Sequence, residues 1–137
     1  MRLILILSLA ITATLASVAC GPPIKNTPVA DIPKLATIEE VMDNQATTAD
    51  PEFKKIDNES YTDADYAAFT TAAERISATS LKTKDVTKGA EFDALAVKLH
   101  DQAEALGKAA AAKDAAAAKA ALSGMKAACK ECHSKFR

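Results

Sequence analysis

DAAAAKAALSGMKAACKECHSKFR, residues 114–137, places a small or apolar side chain at Ala118, Leu122, Met125, Cys129, Cys132 and Phe136, in steps of 4, 3, 4, 3 and 4. Alternating steps of three and four keep these side chains on one face of an α-helix, the seam along which antiparallel helices pack. Asp114 stands just ahead of the run as an N-cap, a carboxylate that accepts amides left free in the first turn.

The same period continues upstream. A third helix is expected over 88–112, with Phe92, Leu95, Leu99 and Leu106 on its buried side. A second starts near Thr62, where Asp65 completes a capping-box variant, and carries the stripe Tyr66, Phe69, Ala73 and Ile76. A first is expected over 35–48, with Leu35, Ile38 and Met42 on one face. It ends or kinks near Asp50-Pro51, because a residue before proline is steered out of the helical region; a short continuation through Phe53 and Ile56 stays open. The alanine-rich stretch 109–121 reads as two helix ends around a tight turn at Lys113-Asp114. Each helix alone would be marginal in water, so the expected fold is all-α, an antiparallel four-helix bundle.

Composition agrees. The 137 residues include 31 alanines but only four glycines, two tyrosines, four phenylalanines and no tryptophan, which favours helix over a sandwich or barrel. A formal net charge of −1 gives no basic footprint for nucleic acid. Three cysteines are too few for a disulfide-stapled fold. No general acid–base pair, Ser-His-Asp set or phosphate-cradling glycine loop can be placed, so the chain is not expected to be an enzyme.

Residues 1–19 carry one charge, Arg2, and then an apolar and small-residue run that Gly21-Pro22-Pro23 ends abruptly. That is the pattern of a secretory signal. Ser17-Val18-Ala19 fits ordinary cleavage, and with Cys20-Gly21 it also resembles a bacterial lipobox, departing at Ser17 where leucine is usual. Lipidation of Cys20 and membrane anchoring are expected; plain secretion with a free Cys20 thiol is the alternative. Four of the five prolines fall at Pro22, Pro23, Pro28 and Pro33, so 20–34 reads as an extended, non-helical tether ahead of a domain spanning 35–137.

The chemistry sits in Cys129-Lys130-Glu131-Cys132-His133. C-x-x-C-H is the attachment pattern of c-type haem: the two thiols each add to a haem vinyl group, and the adjacent imidazole becomes the proximal iron ligand. A thioredoxin-like pair wants a βαβ context that is not visible, a structural zinc needs four ligands where the only other imidazole is His100, and a plain disulfide leaves His133 unexplained. Only four residues follow the motif, so a sixth iron ligand must come from upstream. Met125 lies on the proximal helix and reads as core, and His100 reads as a rim histidine. Met42 on the first helix is the expected distal ligand, with a lining of Leu35, Ile38 or Val41 as the alternative.

On these residues the chain resembles the class II c-type cytochromes, which include cytochrome c prime. The resemblance covers 35–137 and rests on the terminal motif through Ser134-Lys135-Phe136-Arg137, the helical layout, and Ile38-Glu39-Glu40-Val41-Met42. It implies one covalent haem c held by Cys129 and Cys132, His133 as axial ligand, and Met42 at the position of the distal methionine of the low-spin branch. In cytochrome c prime an apolar residue covers the distal face instead, and the five-coordinate iron binds NO and CO. The first helix here lacks the basic residue common near that haem, which favours the Met-ligated branch. The resemblance also matches Arg137 to a terminal basic residue that pairs with a haem propionate.

The leading expectation is therefore an exported, periplasmic, lipid-anchored one-electron carrier serving redox partner proteins. Gas binding is the alternative, and a haem-free interaction module a third reading. Lys126, Lys130, Lys135 and Arg137 form either a docking rim for an acidic partner or simply cations at a helix C-terminus. Monomer and homodimer both stay open.

Overall fold

A computed structural model describes residues 26–87 and 89–137; the signal over 1–19 and the lipidation candidate Cys20 lie outside the described residues. Helices form at α1 Ile38–Phe53, α2 Asp63–Val86, α3 Ala90–Ala112 and α4 Ala115–Phe136, after a short 3-10 helix at Val29–Lys34, and the described residues contain no strand. The bundle is the all-α architecture that the heptad-like seam implies.

Three of the four α-helix starts are set by a local side-chain cap. Thr37 and Glu40 make a reciprocal capping box at α1, and Thr62 and Asp65 make one at α2. Asp114 accepts the Ala117 amide at 3.0 Å to open α4. The α3–α4 turn is as tight as expected. Lys113 takes the left-handed conformation (φ 52°), and its amide and that of Asp114 return to Ala110 and Ala109 at 3.1 and 3.0 Å. A side chain other than glycine is strained there; the Tyr66 hydroxyl, donating to Lys113 O at 2.9 Å, and the Lys113–Asp63 ion pair hold it.

The main core lies among α2, α3 and α4. Phe69, Ile76, Leu106, Leu122 and Met125 are fully buried, and alanines such as Ala72, Ala103, Ala118 and Ala121 let the helix backbones approach closely. Tyr61, Tyr66 and Phe69 meet edge to face at the end of the bundle away from the C-terminus, with ring centroids 4.9–6.1 Å apart. α1 leans on α2 and scarcely touches α4. Its contact with α2 is apolar at Val41 and Ala49 and is fastened by polar bonds: Arg75 donates from Nε to Thr48 Oγ1 at 3.0 Å and from Nη2 to Asn44 Oδ1 at 3.3 Å, with Asn44 and Arg75 both buried.

Two expectations about the N-terminal third are corrected. α1 passes through Pro51 and ends at Phe53, so the continuation is observed as far as Phe53 and not to Ile56. Pro51 lies in the last turn, where a missing N–H removes one hydrogen bond and leaves the rest of the helix intact. The proline-rich segment is not extended through Lys34 either. Proline's fixed φ suits a 3-10 turn, and the amides of Asp31 and Leu35 close on Pro28 O and Ile32 O at 2.8 and 3.1 Å. Ile32 and Leu35 are buried there with Val41 in a second, smaller cluster. Counting prolines hid the three-residue spacing of two apolar side chains. Leu35 thus precedes α1 and leaves Ile38 and Met42 as its half-buried pair.

The cap at α2 makes a pH-dependent contribution. The Thr62 amide at 2.9 Å, the Thr62 hydroxyl at 2.7 Å and the Lys55 ammonium at 2.9 Å hold the Asp65 carboxyl down to about 2, below its ordinary 3.8. A depressed carboxyl stabilises the fold fully above its unfolded value, and that share is lost as the pH falls from there through about 2. Thr62→Ala should cost about 1 kcal/mol in thermal or denaturant unfolding. Asp65→Asn should flatten the acid limb of a circular-dichroism titration in that window, and an unchanged limb would contradict the role given to Asp65.

Candidate functional site

Where α1 stands off α4, the bundle encloses a cavity of about 670 Å³. It lies toward the end where α1 begins and α4 finishes. Its size follows from side-chain choice: Ala46 and Ala49 on α1, Ala96 on α3 and Ala128 on α4 occupy wall positions where a bundle closed on itself would carry leucine. Protein interiors otherwise fill to crystalline density, so an apolar cleft this large in so small a bundle is shaped for a large apolar group. Ile38, Phe53, Ile76, Leu95 and Leu99 supply its branched and aromatic lining. Phe92 and Phe136, with ring centroids 5.0 Å apart, line the end nearest the C-terminus.

Cys129, Cys132 and His133 all line this cavity from α4. The cysteines are half-buried thiols, and His133 is exposed at the lip. Burial pushes the Cys129 thiol up to about 11, with smaller contributions from Cys132 and Asp50. Burial, with help from Glu131, also raises Cys132. Reactive redox pairs carry lowered thiols, so this environment argues against a disulfide-exchange role.

Met42 lines the same cavity from α1. Met125, fully buried, lines it from α4, one turn before Cys129. His100 is not part of the lining: half-buried on α3, its Nδ1 sits 3.0 Å from the Ser77 hydroxyl. The candidates the structure brings together are thus Met42, Cys129, Cys132 and His133. The residues that sequence reasoning missed are the alanines of the wall. Their only signal was an alanine at positions in register with the apolar stripes, which reads equally as close helix packing.

The lips carry opposite charge. Lys126, Lys130 and Arg137 stand on the α4 side, and Glu39, Asp43 and Asp50 on the α1 side. The expected four-cation rim is narrower than the sequence implies, because Lys135 is ion-paired with Glu91. Glu131 inside the motif is likewise paired with Lys98 at 2.6 Å, which holds its carboxyl below the ordinary range.

A four-helix bundle with a C-x-x-C-H helix along an apolar cleft defines a class of helical c-type haem protein. The family model for cytochrome c′ matches residues 33–137, and the chain belongs to that family. Up-down-up-down bundles, cytochrome c′ among them, build their cofactor sites from side chains on facing helices. The family carries one covalently attached haem c with its iron, serves electron transfer or gas binding, and is typically exported to the periplasm. No curated protein and no solved structure matches the chain. Among the described residues no helix is long and apolar enough to cross a membrane.

The residues present fit haem c: a cleft of suitable volume with apolar walls, two thiols three residues apart along one wall, an imidazole at its lip and cations beside it for carboxylates. Narrowing the cleft should therefore exclude the group. Ala49→Leu should cut covalent haem per chain severalfold, read by pyridine haemochromogen assay, while changing the stability of the haem-free chain by no more than about 1–3 kcal/mol. Full haem loading in that variant would mean the cleft is not the haem site.

Proposed function

We propose that the protein is an exported one-electron carrier and not an enzyme, with haem c linked through thioethers to Cys129 and Cys132, His133 as proximal ligand and Met42 as distal ligand. The observation that carries the reading is that Met42 lines, from α1, the same cavity that Cys129, Cys132 and His133 line from α4. When bound, the haem iron supplies a one-electron Fe(III)/Fe(II) couple. The chain's own residues do the rest. The two thioethers keep the group from being lost after export. The His133 imidazole and the Met42 thioether would be the iron's two protein ligands, and a thioether ligand would raise the potential. The apolar walls exclude water, which limits reorganisation around a changing charge.

Partners are other redox proteins. Lys126, Lys130 and Arg137 beside the cleft support docking of an acidic surface close to the haem edge. The signal at 1–19 and the Cys20 lipobox support a periplasmic, lipid-anchored carrier.

An optical spectrum of the dithionite-reduced protein, before and after CO, tests the assignment. The expected result is a c-type spectrum that CO leaves unchanged. Met42→Ala should then turn the ferric iron high-spin, lower the potential and open the reduced protein to CO. A wild-type protein that takes up CO at once, with Met42→Ala no different, would replace the carrier reading with gas binding.

A further inference from the structure

The segment ahead of α1 forms a strap with its own anchor. Thr27 donates its backbone N–H to Asn44 Oδ1 at 2.8 Å, the oxygen that also accepts from Arg75, and Asn44 Nδ2 donates to Glu40 O at 2.8 Å. Farther along, Ile32 (1% exposed) and Leu35 pack with Val41, and Met42, Ala78 and Val86 close around them. This cluster is separate from the main core. Among the described residues, Met42 alone belongs both to this cluster and to the lining of the cavity.

That double membership has a mechanical meaning. A methionine side chain has three rotatable bonds and fills whatever space its neighbours leave. With room behind it, its sulfur is spread over many positions. Packed against the Ile32, Leu35 and Val41 cluster on one side and lining the cavity on the other, the side chain has less room to withdraw from the cavity.

We propose that the strap 27–35 is the positioning element of the distal ligand, with Ile32 its principal positioning residue: it holds the Met42 thioether at the haem and so keeps the iron closed to small gases. The inference rests on the ligand role proposed for Met42. The strap is also the stretch of chain that leads from Cys20 into the domain, so the N-terminal attachment and the distal face share one element.

The test uses the full-length, haem-loaded protein and four variants, Ile32→Ala, Ile32→Val, Met42→Ala and Leu106→Ala. Leu106 is a fully buried core residue outside the cavity lining, so its variant reports general loosening. Two quantities are read: the sulfur-to-iron charge-transfer band of the ferric protein, and the rate of CO uptake after reduction. Ile32→Ala should weaken the band and speed CO uptake by about tenfold or more, corresponding to about 1.4 kcal/mol in the closed–open balance. Ile32→Val should fall between it and wild type, and Leu106→Ala should stay near wild type. The strap proposal is overturned if Ile32→Ala keeps a full band and a slow CO rate, or if Leu106→Ala opens the site equally. A wild-type protein without the band, unchanged by Met42→Ala, would instead remove the ligand reading itself and the strap's role with it.

Discussion

The Arg75 guanidinium reaches from α2 to α1, donating to Thr48 Oγ1 and Asn44 Oδ1, and this lateral grip lets α1 remain part of the bundle without packing on α4. An α1 held by apolar burial alone would slide toward the greatest apolar contact and close the cleft. Hydrogen bonds from a charged donor are directional and are each worth about 1.5–3 kcal/mol net. Together with the burial of Val41 and Ala49, they hold α1 on α2. Asn44 extends the same fastening to the strap, since its side-chain oxygen accepts both the Thr27 amide and Arg75.

From that constraint the site follows. The cleft has one wall on α4, carrying two thiols and an imidazole within five consecutive residues, and another on α1, carrying a thioether. The α4 wall is well supported, since its helix packs along α3 with Leu122 and Met125 buried just upstream of the motif. The α1 wall depends on what stands behind it: α2 on one side, and the Ile32–Leu35 cluster on the other. The two walls therefore differ in what packs behind them. In the function proposed for the site, covalent attachment falls on the wall packed along α3, and the axial methionine on the wall backed by a short docked segment.

The charges around the cleft are disposed by helix rather than by a single basic patch. Cations line the α4 lip and carboxylates the α1 lip. Lys98–Glu131 and Lys135–Glu91 tie α3 to α4 on the exposed surface close to the motif. Exposed pairs of this kind contribute little stability. Their consequence is local: Lys135 is removed from the rim, and the cationic field is concentrated on Lys126, Lys130 and Arg137.

The sequence alone specifies the helices, because their signals are local. The Thr62–Asp65 capping box and the Asp114 cap act within one turn and are observed, and the 4-3-4-3-4 seam is buried from Ala118 to Met125, half-buried at the two cysteines and exposed at Phe136. It also determined the haem motif, since C-x-x-C-H is read along one helix and needs no partner. No local pattern shows that alanines on three helices converge to open a cavity, that Lys135 is ion-paired with Glu91, or that a proline-rich lead-in folds as a 3-10 strap. These depend on residues far apart in the chain meeting across helix interfaces. An alanine in a helical stripe has the same local propensity whether a backbone or a cofactor lies opposite it. The packing of α1 against α2, and not α4, decides which it is.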